Sequence, residues 1–261
     1  MIGIFDSGLG GLTTVRALSA ALPHYNLLYF GDTARSPYGT KSRETVIRYA
    51  IENTQRLVDR GAKAIVMACN TAASCAPDII RERFQVPIFE VITPAVKLAT
   101  QESVGGKIGI IGTTATIRSG IYERKIHEIL PDAHVFSAAC PLLVPLVEEG
   151  WIGRPETAMI VRKYLRPLTL RQIDTLILGC THYPLLKETI RRKIGKRIRI
   201  IDSSAATAAD VREHLKNDPD LNNRLAKEGK MAFLVSDLTD SFEKTATDFL
   251  GKRICLTNIA A

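Results

Sequence analysis

Residues 42–71 read SRETVIRYAIENTQRLVDRGAKAIVMACNT. Val46, Ile47, Ala50, Ile51, Thr54, Leu57 and Val58 fall on one 3.6-residue stripe, so Ser42–Arg60 predicts an amphipathic helix, with Gly61 as its stop. Ala64–Ala68 is then an unbroken apolar run, without the alternation of a strand wetted on one face. Such a run belongs to a parallel sheet covered on both sides. It ends in Cys69-Asn70-Thr71, a thiol followed by two hydrogen-bonding side chains.

The same alternation extends in both directions. Ile2–Phe5, Leu27–Phe30, Pro87–Val91, Lys107–Ile111, His134–Ala138, Thr175–Leu178, Arg197–Ile201 and Met231–Val235 are further strand candidates. Leu12–Leu22, Pro155–Leu165, Ala205–Lys216 and Ser241–Leu250 read as helices between them. Strand–helix alternation with apolar runs defines an α/β protein with parallel sheets. The 261 residues allow one large domain or two of about 130 each. With 46% hydrophobic and 24% charged residues, the chain has the apolar content to offset the entropy of ordering, which excludes a disordered chain. No apolar run reaches the ~18 residues of a membrane span, and Asp6 interrupts the N-terminus before it can read as a signal peptide. Five cysteines at irregular spacing read as reduced thiols of a cytoplasmic protein.

Ligands of parallel sheets sit beyond the carboxyl ends of the strands. Those ends carry Asp6-Ser7-Gly8-Leu9-Gly10-Gly11, Gly31–Gly39, Cys69-Asn70-Thr71, Gly112–Thr116 and Gly179-Cys180-Thr181-His182-Tyr183-Pro184. Two ends look alike. Ile65–Thr71 and Leu176–His182 both run apolar strand, small residue, Cys, then polar residues. A repeat this long suggests duplicated α/β halves related by a pseudo-two-fold axis, with both thiols facing one ligand in the cleft between them.

Cys75, Cys140 and Cys255 carry no such context and read as core residues. Around Cys69 and Cys180 there is neither the paired Cys/His spacing of zinc nor the C-x-x-C of a redox dithiol, and no metal site is expected. A Cys–His hydrolase would use one thiol and leave the other unexplained. Two acid/base groups flanking one carbon suit removal of a proton on one face and delivery on the other, which is racemisation or epimerisation. A free thiol is mostly protonated at neutral pH, so neighbours such as Asp6 or His182, or a helix dipole, must tune it. Asp6 also suits the cap of a helix starting near Gly10. Gly8-Leu9-Gly10-Gly11 is neither a dinucleotide fingerprint nor a P-loop, and no cofactor is expected.

Ile4–Gly11, Gly31–Arg35 with Pro37-Tyr38-Gly39, Ala68-Cys69-Asn70-Thr71 and Gly179–Leu186 together resemble the glutamate racemase family, cofactor-independent bacterial enzymes, in order and spacing over nearly the whole chain. Ser36 departs from the pattern, which more often has an apolar or small residue there. The resemblance implies two α/β domains around a cleft, interconverting L- and D-glutamate for peptidoglycan. Cys69 corresponds to the thiol acting on D-glutamate and Cys180 to the one acting on L-glutamate, with Asp6 and His182 as helpers. Glu149 resembles a third assisting acid, with Glu148 adjoining it. Substrate binding maps to Asp6, Ser7, Tyr38, Gly39, Asn70, Thr71, Thr181 and His182, with Thr113 and Thr116 added. A homodimer is expected, and no membrane partner. A racemase for aspartate or another amino acid, and a non-catalytic anion-binding protein, are the competing readings.

Motif order divides the chain into residues 1–92 with 205–261, and residues 93–204, with crossings at Val91-Ile92-Thr93-Pro94 and Ile201-Asp202-Ser203-Ser204. The net charge of +8 is local. Arg162 to Ile200 carries eleven Lys/Arg against Asp174 and Glu188, a net +9, and the rest sums to −1. Leu186, Ile190 and Ile194 make the densest part, Arg191–Arg199, read as the solvated side of a helix. Nucleic-acid binding lacks a motif or interleaved aromatics.

Overall fold

The computed structural model describes residues 1–259. In chain order its strands are β1 (Ile2–Asp6), β2 (Leu27–Gly31), β3 (Ala64–Met67), β4 (Ile88–Glu90), β5 (Lys107–Gly112), β6 (His134–Ala139), β7 (Thr175–Gly179), β8 (Arg199–Asp202), β9 (Met231–Val235) and β10 (Thr257–Asn258). They form two sheets, in the orders β10-β9-β2-β1-β3-β4 and β6-β5-β7-β8. Each adjacent pair is parallel. Four strands of the first sheet, β2-β1-β3-β4, follow the order in which β6-β5-β7-β8 follow one another in the second. The sequence repeat is thus a repeat of topology, and the architecture is two parallel-sheet α/β domains.

Alternation along buried strands places successive side chains in different cores. Ile2 and Ile4 of β1 join the largest apolar cluster, while Phe5 joins the one beneath the helix Arg43–Asp59. Leu176 and Leu178 of β7 reach the same largest cluster from the other sheet, and Ile177 faces a third. One apolar core is therefore shared by both domains. Helix Ile92–Glu102, after β4, packs on helix Ser203–Asn217, after β8, so the two passages between sheets lie together. Asp202 caps the second of these helices, accepting from Ser204 N at 3.0 Å. Beyond it, β9 pairs with β2 and helix Asp240–Leu250 packs on helix Leu12–Ala21. Ala260 and Ala261 of the expected first-domain tail lie outside the described residues. No helix among the described residues is long and apolar enough to cross a membrane.

Two of the expected boundaries that move have a local cause. Helix Pro155–Leu170 continues past Leu165 through Pro167. Pro167 is exposed, as is Lys163 one turn earlier, so water can satisfy the carbonyl that Pro167 leaves without a donor. The last strand of the second sheet starts at Arg199, whose N–H bonds Asp174 O at 2.8 Å, two residues later than the apolar pattern suggests.

Gly31 ends β2 under the loop after β1. A Cβ there would lie 2.5 Å from the Gly8 carbonyl oxygen, which also accepts the Tyr29 hydroxyl. That oxygen belongs to backbone and cannot step aside. Gly31→Ala is expected to lower the unfolding free energy by about 1–3 kcal/mol in urea titrations, the usual cost of overpacking.

Candidate active site

Four central strand ends converge. β1 delivers Asp6 and Ser7, β3 delivers Cys69, β5 delivers Thr113 and β7 delivers Cys180-Thr181-His182. Cys69 is the N-cap of the short helix Asn70–Ala73, and Thr113 caps Thr114–Arg118 through its hydroxyl, which accepts from Thr116 N at 3.2 Å. Both thiols are reduced and 5% exposed. Because β1 and β5 are the strands at which connectivity reverses within each sheet, their ends form the crevice where such sheets bind ligands.

On the Cys180 side, Sγ lies 3.8 Å from His182 Nδ1, and His182 Nε2 lies 3.0 Å from Glu148 Oε1. Burial alone would lower the His182 pKa, but the contacts with Cys180 and Glu148 outweigh it and raise the value to about 10. His182 is therefore an imidazolium at neutral pH, held between a sulfur and a carboxylate. Gly10 makes room for it, since a Cβ there would fall 2.5 Å from the imidazole and from the Thr181 hydroxyl.

On the Cys69 side the nearest charge is a carboxylate. Asp6 is fully buried, accepting from Gly8 N at 3.0 Å and from the Thr181 hydroxyl at 3.3 Å. Desolvation raises its pKa against these bonds and the His182 charge. Cys69 is pushed up to about 12 by burial and by the Asp6 charge, which outweigh the Ser7 hydroxyl beside it. Cys69 is consequently a neutral thiol. The two sulfurs are near enough for Cys180 to contribute to that shift.

The walls between the thiols are hydroxyls and an amide. Thr71 meets Thr113 at 2.9 Å and Thr116 at 3.4 Å, with Thr113 and Thr116 3.0 Å apart. Asn70 donates from Nδ2 to the Tyr122 hydroxyl at 2.9 Å, while its buried Oδ1 has no partner among the described residues. A buried acceptor without a donor is costly. Gly39 sits where a Cβ would come within 2.9 Å of Thr113, so glycine permits the close approach of that loop to the second domain.

Asp6, Ser7, Asn70, Thr71, Thr113, Thr116, Thr181 and His182 are therefore assembled with the thiols. Tyr38 differs, because its hydroxyl donates to Asp32 and accepts from Asn53 Nδ2 at 2.9 Å, inside the first domain. Only its main chain is left for the cleft. The carboxylate on His182 belongs to Glu148, whereas Glu149 caps the end of helix Leu143–Glu148 and lines a surface cavity beside it. Adjacent residues on a helix point about 100° apart, a distinction that motif matching does not make. Cys140 is a core residue as expected; Cys75 is half-buried and Cys255 exposed, in the irregular segment before the edge strand β10. Tyr122, which orients Asn70, and the inter-domain ties from Thr13 to Thr181 O (2.9 Å) and from Thr14 to Ser204 Oγ (2.9 Å) carry no signal in the sequence. Among the described residues no group of three or more His, Cys, Asp or Glu side chains could hold a metal ion.

The family described as Asp/Glu/Hydantoin racemase matches residues 13–211. A glutamate racemase of Geobacter metallireducens is 44% identical over 253 residues, 97% of this chain and 93% of its own. The chain belongs to the aspartate/glutamate racemase family. It is accordingly an isomerase. Glutamate racemase RacE1 from Bacillus anthracis superposes with a TM-score of 0.93 at 37% identity, covering 99% of this chain and 97% of that one. The glutamate racemase of Francisella tularensis, solved with D-glutamate, gives 0.91 at 36% identity with the same coverage.

Two outcomes follow from these charges. The His182 pKa is raised from 6.5 to about 10, so its stabilisation is complete below pH 6.5 and disappears as pH rises through 10. The unfolding free-energy difference between the parent protein and His182→Asn should therefore shrink steadily from pH 7 to 10 in denaturant titrations. Asp6 has the opposite consequence, because burial penalises its ionised form at neutral pH. Asp6→Asn keeps an oxygen for Gly8 N–H and should raise the melting temperature at pH 8, with the gain lost towards pH 4, while activity falls.

Proposed function

We propose that the protein is a cofactor-independent glutamate racemase in which Cys69 and Cys180 work on opposite faces of the substrate α-carbon. The reading is carried by two buried thiols at equivalent strand ends of two domains, each with its own charged neighbour. The unpartnered Asn70 Oδ1 supports it, as an acceptor for the substrate ammonium. Hydroxyls of Ser7, Thr71, Thr113, Thr116 and Thr181, with nearby main-chain N–H groups, suit the two carboxylates. The relatives named glutamate racemases favour glutamate over aspartate.

With L-glutamate bound, Cys180 Sγ takes the α-proton. The Cα–H bond breaks, an S–H bond forms, and the electron pair spreads into the α-carboxylate. Cys69 then breaks its own S–H bond and delivers that proton to the other face, ending as the thiolate. The product is D-glutamate, and the reverse reaction starts from Cys69. The resting charges suit this order, because the His182 cation stands beside Cys180 and the neutral thiol is Cys69. Glu148 positions His182 by its contact with Nε2; Glu149, the assisting acid of the family pattern, acts from the cavity wall. Asp6 keeps the Cys69 proton in place and pairs with the substrate ammonium. Exclusion of water protects the carbanion-like state from solvent protons and strengthens these interactions.

The domain limits carried in this reading are residues 1–92 with 205–261, and 93–204. Their motion about the passages near Ile92 and Ser203 admits the substrate. Supply of D-glutamate to peptidoglycan, a homodimer and cytoplasmic residence belong to the same reading and rest on the family resemblance.

Either glutamate enantiomer, incubated in D2O without added cofactor, should lose its optical rotation and acquire deuterium at Cα. Cys69→Ser and Cys180→Ser should each lower racemisation by at least ~10²-fold, the low end for removing a general acid or base. Full activity in either variant would remove the two-thiol mechanism.

A further inference from the structure

Two thiols that are 5% exposed need an opening through which a charged substrate arrives. Two cavities touch the edges of the site, and their charges differ. One, of about 620 Å³, is walled by Gly39 and Thr71 from the site itself and by Lys41, Arg43, Arg118 and Arg124. No carboxylate lines it, and none of the four cations is in an ion pair among the described residues. The other, of about 290 Å³, is lined by Gly8 and Ser36 and by the carboxylates of Glu148 and Glu149.

The cations come from both halves of the molecule. Lys41 and Arg43 flank Ser42, the N-cap of helix Arg43–Asp59. Arg118 ends helix Thr114–Arg118, and Arg124 lies on Ile121–Ile129. Arg43 is the first residue of its helix, where the macrodipole is already positive and a cation is locally unfavourable. Its same-turn partner is the exposed Glu44, which does not line the cavity, so Arg43 still presents a positive charge to it. The inner site holds the His182 cation, already held between Cys180 and Glu148, and no Lys or Arg, so these four are the cations that an anion meets first on this approach.

We propose that the Lys41–Arg43–Arg118–Arg124 mouth is the route by which glutamate enters and leaves, and that it acts as an electrostatic capture site for anionic amino acids. The second opening has no Lys or Arg among the described residues of its lining and carries Glu149 beside Glu148, the latter paired with His182, so it offers an anion no attraction. The inference rests on the glutamate reading for the identity of the anion. Like-signed charges around a low-dielectric cleft raise the local concentration of the opposite ion, and salt weakens this. Each cation is exposed and outside the chemical step, so the effect belongs to kcat/KM and not to kcat.

The test compares the parent protein with Arg118→Glu/Arg124→Glu. For the parent, kcat/KM on glutamate should fall ~3-fold or more from 20 to 300 mM KCl, with kcat constant. The double variant should lose a similar factor at low salt, lose the salt dependence and keep kcat. Unchanged kcat/KM and salt slope in the variant would overturn the proposal. A second readout needs no turnover. Cys75 lines the same mouth, and its alkylation can be followed by mass spectrometry of its peptide. The ratio of its rates with iodoacetate and neutral iodoacetamide cancels thiolate content and reports local anion enrichment. That ratio should drop in the double variant; an equal ratio, or a Cys75 unreactive to both reagents, counts against the mouth. Enrichment at Cys75 in a protein that racemises neither enantiomer would leave the capture site standing and refute the glutamate reading.

Discussion

Asp6 is buried, and its carboxylate is shared between the backbone N–H of Gly8 in its own loop and the hydroxyl of Thr181 in the other domain. Removing a carboxylate from water is expensive unless donors replace the lost hydration. Here the donors come from both sides of the cleft, so satisfying Asp6 requires the domains to meet. Thr181 is placed by the Thr13 hydroxyl, which bonds its carbonyl, and its neighbours in sequence are Cys180 and His182. One buried carboxyl group thus ties the end of β1 to the end of β7 through its hydrogen bonds and brings the second thiol into the company of the first.

The two halves repeat a topology, but their electrostatics are not symmetric. A carboxylate stands by Cys69 and raises its proton affinity, whereas a cation stands by Cys180, anchored by Glu148. Two identical surroundings would give two sulfurs with equal claims on one proton. In the two-thiol reaction proposed above, this difference would place the stored proton on Cys69. Glycine serves this layout where volume is limiting: Gly10 clears His182, and Gly39 lets a loop reach Thr113.

Much of this was legible in the linear chain. Continuous apolar runs named the parallel strands, because a strand covered on both faces has no wet side to alternate with. The match between Ile65–Thr71 and Leu176–His182 named two strand ends that the fold brings to one crevice. Helix Pro155–Leu170 was harder, since Pro167 is a stop by local rules and is tolerated only because that turn is wetted. The basic run Arg191–Arg199 dominates the charge pattern but lies away from the mouth of the cleft, whose four cations are scattered between residues 41 and 124.

Composition, periodicity and motif order by themselves determined the α/β class, the paired thiols and the residues at the strand ends, because burial pattern and strand-end chemistry are local properties of the chain. The tertiary structure alone decided which partner each group meets. It put Glu148 rather than Glu149 on His182, turned the Tyr38 hydroxyl inward to Asp32, left Asn70 Oδ1 without a donor among the described residues and gathered Lys41, Arg43, Arg118 and Arg124 around one cavity. Those contacts join residues far apart in sequence or discriminate between neighbours on one helix turn. Both depend on how elements pack, which no short window of sequence records.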